Sequence, residues 1–145
     1  DEGVVAGLLN RRESLGPDDR LRTRGELVLE ALDHADAVDA VAALADLDGR
    51  SYRSFNMVVA DNRDVYWLRS LGATASGRVE VNELPAGFAM LTAHDVDDSA
   101  SPRTQTYLPR FRKAPAPALT KCMFTPKRSP TMPRGSRTPR VPSML

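Results

Sequence analysis

The chain has 145 residues, 41% of them hydrophobic, which is enough apolar side chain for one domain core if all of it folds. Its net charge of +1 averages two unlike segments: residues 1–111 hold twelve basic against nineteen acidic residues, a balance of −7, while residues 112–145 hold eight Lys or Arg and no acid. A single cysteine, Cys122, excludes an internal disulfide and sets a reducing, cytoplasmic compartment as the expectation, and no apolar run approaches the roughly 20 residues of a membrane span or opens the chain as a signal peptide.

Asp1-Glu2-Gly3 reads as the tail of a turn and Val4 to Leu9 as a strand, so a preceding partner strand is expected upstream of a chain that opens on Asp. A polar loop then runs from Ser14 into a helix. Thr23 and Glu26 have capping-box spacing, which predicts a helix start near Arg24. Arg11, Arg12, Arg20 and Arg22 precede that start. A helix N-terminus already carries about half a positive charge, so arginines gathered there suit an approaching anion.

Leu27, Val28, Ala31 and Leu32 share one side of this first helix, which closes at His34 or Ala35. A second helix, capped by Asp36, places Val38, Val41, Ala42, Leu44 and Ala45 inward and turns Asp39 and Asp46 to water, with Gly49 as its stop. From Arg53 the apolar period shortens towards two. Residues 54–60 and 64–68 read as strands joined by an Asp61-Asn62-Arg63 turn, Val79, Val81 and Leu84 as a third strand, and residues 88–92 as a fourth after the Pro85-Ala86-Gly87 turn. Pro102 to Phe111 reads as an exit segment of little regular structure. The order is α+β, a strand, two helices and an antiparallel meander, with the helices packed on one sheet face. Residues 1–117 form this domain. Residues 118–145 carry arginine, proline and scattered methionine without either period, and are expected to be disordered.

The blocks SLGPDDRLRTRGELVLEALDHADA, RSFNMVVAD, GFAMLTAHD and SASPRTQTYLPRFR, in this order and at these separations, resemble the central part of the NRDE family, which includes the transport and Golgi organisation protein 2 group. The resemblance covers roughly Val4 to Pro117. It implies an N-terminal-nucleophile-hydrolase-like sandwich, incomplete in this chain, in which two antiparallel sheets lie between helical layers. Family members begin with Met-Cys and carry the eponymous motif on an early strand. Asn62-Arg63-Asp64 does not stand for that motif, because it falls in a turn between later strands. The implied reading is therefore a fragment of an amide-hydrolase-like protein, without the nucleophile region and without turnover of its own. The tail resembles nothing in the family, and a frame slip near Pro117 in a GC-rich gene is the expected origin of its bias.

Asn10 and Arg103 are candidate sites through the resemblance, and Arg22, Arg24 and His94 from their places at the helix entrance and a strand exit. Asn10 in LLNR occupies the place of an oxyanion-type amide donor, against the plainer reading of an asparagine that ends a strand. Arg11, Arg22, Arg24, His94 and Arg103 are the anion- or ligand-binding candidates; Arg22 and Arg24 have surface pairing with Asp18, Asp19 or Glu26 as their alternative, and His94 a structural role. Asn56, inside a strand where asparagine is locally disfavoured, is expected to be hydrogen-bonded or exposed, in a structural role. No spacing for metal ligands occurs, and Cys122 is assigned no catalytic role.

Family members are linked to haem trafficking and to lipid or acyl-thioester handling, so an anionic small molecule (haem, an acyl-lipid or an amide substrate) is the implied partner and haem the one implied cofactor. An exposed sheet edge invites self-association. The basic tail gives salt-dependent attachment to nucleic acid or acidic surfaces as a weaker alternative. With Phe124 its single aromatic, recognition by base stacking is not expected.

Overall fold

A computed structural model describes residues 3–12, 14, 16, 18–74 and 76–115. Expectations for Asp1, Glu2, Cys122 and residues 118–145 lie outside these described residues. The elements are β1 (Val5–Asn10), α1 (Gly25–Leu32), α2 (Ala37–Ala45), β2 (Phe55–Ala60), β3 (Val65–Ser70), β4 (Glu80–Glu83) and α3 (Pro102–Lys113), with 3-10 turns at Gly49–Ser51 and Gly72–Thr74.

The strands form one antiparallel sheet in the order β1-β2-β3-β4. Alternation decides its faces. Phe55, Met57 and Val59 of β2 are buried beneath the helices, aligned through the register with Leu8 and Ala6 of β1 and Leu68 of β3. On the other face lie Asn56, Val58 and Ala60. Helix α1 packs on β1, and α2 packs on β2, β3 and β4, so both helices cover one face of an α+β sheet as the order of elements predicts. Among the described residues β1 pairs on one side only, with β2, and Val5 at its start is 69% exposed.

Asp36 caps α2 by accepting from the Asp39 amide at 2.9 Å. The buried stripe of that helix is Ala37, Ala40, Val41 and Leu44, a three-four repeat in which alanines let the helix sit close to the sheet. Val38, Ala42 and Ala45, expected inside, are exposed. Leu32 of α1 is likewise half exposed. The box at Thr23 does not close. Arg24 is the cap residue and makes no side-chain cap bond, because Glu26 turns back to Arg22, 2.7 Å away, rather than to the backbone of Thr23.

Gly49 does not terminate α2 either. It starts the first 3-10 turn, buried against Ser70 and Gly77. Residues 88–92 form no strand, because the sheet ends at β4 and the chain instead crosses the open face, held there by side-chain bonds from β2. The exit segment is helical. Ser101 accepts from the Thr104 amide, Pro102 opens the first turn, and Thr104 and Leu108 are buried one helical turn apart.

Asp61 joins the β2–β3 turn to the helical layer. Its carboxylate accepts from the amides of Ala37 at 3.0 Å, Arg63 at 2.7 Å and Asp64 at 2.8 Å. These amide bonds, that of Ala37 foremost, hold its pKa down to about 2. A depressed carboxyl contributes stability that is full above the unfolded value of about 3.9 and disappears as the pH falls through the folded value. Asp61→Asn is therefore expected to lower the urea midpoint at pH 7, and the gap from wild type should close near pH 2. A gap that stayed constant over that range would assign the loss to shape rather than charge.

Candidate functional site

The open face of the sheet is covered by the irregular segment that follows β4, and Asn56 pins it. The side chain is fully buried, and its amide nitrogen donates to the carbonyls of Thr92 at 2.9 Å and His94 at 2.6 Å. Its oxygen accepts from Arg11 Nη1 at 2.7 Å and Trp67 Nε1 at 3.3 Å. All four valences of the carboxamide are used. Arg11 Nη1 also donates to Asp95 at 2.7 Å, and Asp95 accepts from Arg69 at 2.6 Å. Arg69 in turn is paired to Glu80, whose hydrogen bond is the main cause of its raised pKa. Two guanidiniums and two carboxylates thus clamp residues 92–95 onto the strands.

Beside this clamp lies a cleft of about 940 Å³ between the end of β1, residues 90–94 and α3. Leu9, Met90, Leu91, Tyr107 and Phe111 give it apolar walls; Asn10, His94 and Arg103 are in its polar lining, with Thr92 and Ser101. Phe111 also stacks on Phe88, with ring centroids 6.3 Å apart. Arg103, in the first turn of α3, has no hydrogen bond or ion pair among the described residues. His94 Nδ1 is 3.6 Å from Asp98 Oδ2.

The structure therefore brings Asn10, His94 and Arg103 together although they are far apart in the chain, and places the other three candidates elsewhere. Arg11 belongs to the Asn56 clamp. Arg22 pairs with Glu26 and lies over the Tyr52 ring, 5.4 Å from its centroid. Arg24 Nη1 donates to Ser14 O at 3.1 Å, Ser14 Oγ at 3.0 Å and Ser54 O at 3.0 Å, fastening the loop before α1 to the entry of β2. Partial burial, and then the neighbouring Arg53 charge, lower its pKa. Tyr107 and Phe111 are cleft residues that sequence reading passes over, since it gives no helix there; the Ser101-Pro102 start was the signal that would have found them. Among the described residues no group of three His, Cys, Asp or Glu could hold a metal ion. No described helix is long and apolar enough to cross a membrane.

A four-stranded antiparallel meander, with two helices inserted between β1 and β2 and a mixed apolar and cationic cleft beside α3, defines the class: an α+β domain with α1 and α2 on one side. The Transport and Golgi organisation 2 family profile matches residues 1–118, and the chain belongs to that family. No curated protein and no solved structure gives a significant match.

Proposed function

We propose that this domain binds an amphipathic acyl anion in the cleft beside α3, with the acyl chain against Leu9, Leu91, Tyr107 and Phe111 and the carboxylate at Arg103. The observation that carries this reading is a guanidinium with no partner among the described residues at an otherwise largely apolar cleft, the usual composition of a site for a molecule charged at one end. Haem enters through the family resemblance. His94 is placed to offer an imidazole, but a porphyrin carries two propionates and Arg103 is the one guanidinium among the described residues lining the cleft, so the fit is to one end only. Self-association, if it accompanies binding, would use the open side of β1.

Calorimetric titration with a long-chain fatty acid tests the reading. Micromolar binding is expected, with Arg103→Ala weakening it about tenfold, as loss of one charge-assisted hydrogen bond does. The corresponding fatty alcohol should bind like the acid binds to the variant. Absence of fatty-acid binding, or equal affinities for wild type and Arg103→Ala, would overturn it. A haem titration followed by absorbance provides the competing arm: a band shift abolished by His94→Ala would favour haem over the acyl anion.

A second reading, amide-bond hydrolysis of the N-terminal-nucleophile type, is favoured by Asn10 lining the same cleft. Acyl-amide hydrolysis measured on this chain, and on a form extended with the family's Met-Cys start, separates binding from turnover.

A further inference from the structure

We propose that a second cavity, walled by Arg11, Arg12, Arg53 and His94, binds the phosphate group of a phosphomonoester. It encloses about 430 Å³ where the exit of β1, the entry of β2 and residues 93–94 converge. Three arginines and a histidine line it, and no aspartate or glutamate is among its described lining residues. Most arginines elsewhere are locally compensated: Arg20 by Asp18, Arg22 by Glu26, Arg50 by Asp48 and Arg112 by Asp97. Arg11 shares Asp95 with Arg69. Arg12 is exposed, with no side-chain hydrogen bond or ion pair among the described residues.

The walls are held independently of any ligand. Arg12 N donates to Ala93 O at 3.3 Å, Ser14 Oγ donates to Ser54 O at 2.9 Å, and Arg11 is fixed by Asn56 and Asp95. A concave surface lined by one sign of charge concentrates counter-ions, and the guanidinium fork matches phosphate oxygens in pairs. A dianionic phosphate meets several cations better than a carboxylate does. The volume exceeds a bare phosphate, leaving room for the esterified organic group. This inference does not rest on the acyl-anion reading, since Arg12 and Arg53 are not part of the cleft beside α3.

The test is a thermal-shift and calorimetric titration of the full chain with inorganic phosphate and, separately, acetate, at constant ionic strength. Phosphate should give saturable stabilisation, and acetate should not. Arg12→Gln should weaken phosphate at least about tenfold. Arg78→Gln, which removes the same charge from an exposed residue outside the cavity, should leave affinity unchanged. Equal effects of phosphate and acetate, or equal affinities in Arg12→Gln and Arg78→Gln, would overturn the proposal. Urea midpoints of the variants, expected to match wild type, exclude misfolding as the cause of lost binding.

Discussion

Asn56→Asp is expected to destabilise the domain by about 4 kcal/mol at neutral pH, most of the margin a small domain has. The substitution preserves shape and preserves the acceptor that faces Arg11 and Trp67. What it removes is the amide nitrogen, so the Thr92 and His94 carbonyls lose their donor and meet an oxygen instead. Asn56→Ala, which leaves those carbonyls unsatisfied without adding a charge, should cost about 3 kcal/mol. The pH dependence separates the causes. A fully buried carboxylate facing two carbonyls is easier to protonate in the folded state than in the unfolded chain, the Arg11 guanidinium offsetting only part of this because Asp95 already shares it, so the folded variant binds more protons and gains stability as the pH falls. The gap between Asn56→Asp and wild type should therefore narrow from pH 7 towards pH 5 in urea titrations, while that of Asn56→Ala should not. Hydrogen exchange around residues 92–95 should accelerate in both. If Asn56→Asp were as stable as wild type at pH 7, the carboxamide would not be what holds the segment across the sheet.

The same residue shows where sequence reading stops. Asparagine inside an apolar strand signals a side chain that is either hydrogen-bonded or exposed, and local preference goes no further than that; the structure buries it. Its partners are not legible, because they come from residues 11, 67, 92 and 94, which only the folded sheet brings near. For the same reason the apolar run at residues 88–92 looks like one more strand, although the segment crosses the sheet face with no ladder partner and its burial does not alternate. The β2–turn–β3 hairpin was legible since Asp61 supplies its turn chemistry locally, and the start of α2 was legible through Asp36. Helix α3 was hidden by Pro109 and by a strongly polar surface around only two buried positions. Small residues misled the reading of α2, where Ala37 and Ala40 outrank the larger Val38 because closeness to the sheet, rather than hydrophobicity, selects the face.

The candidate sites divide along the same line. Asn10 and Arg103 stand out through a resemblance between separated blocks and His94 through its place at a strand exit, and their meeting in one cleft is a property of the tertiary fold. The clustering of arginines before α1 was visible, but not which of them are compensated. That depends on Glu26 turning towards Arg22, on Asp95 serving two guanidiniums, and on Ser14 and Ser54 presenting oxygens to Arg24. After those pairings Arg12 and Arg103 keep guanidiniums with no partner among the described residues, on two different cavities. Charge counting along the chain could not separate them from the rest.

Gly49→Ala is expected to cost about 3 kcal/mol, the reverse of what its backbone alone would suggest. Replacing a glycine of ordinary φ by alanine usually adds about 0.4–1 kcal/mol of stability, because the unfolded chain loses freedom. At position 49 an added methyl would lie 2.6 Å from Ser70 Oγ and 2.9 Å from the Gly77 carbonyl oxygen. The serine hydroxyl is buried and already accepts from the Gly72 amide at 3.1 Å, and the Gly77 carbonyl accepts from the Gly49 amide itself at 2.7 Å. Neither oxygen can retreat without breaking its bond, that of Gly77 joining the end of the helical layer to the loop before β4 and that of Ser70 fixing the turn after β3, and overpacking of this kind exceeds the entropic gain. The double variant Gly49→Ala/Ser70→Ala removes the first contact and leaves the second, so it should recover part of the loss relative to Ser70→Ala alone and no more. Urea midpoints at unchanged denaturant slope are the measurement. Full recovery in the double variant would make Ser70 the whole obstacle, and a stabilised Gly49→Ala would mean that the helical layer and the loop before β4 do not meet backbone to backbone at this point.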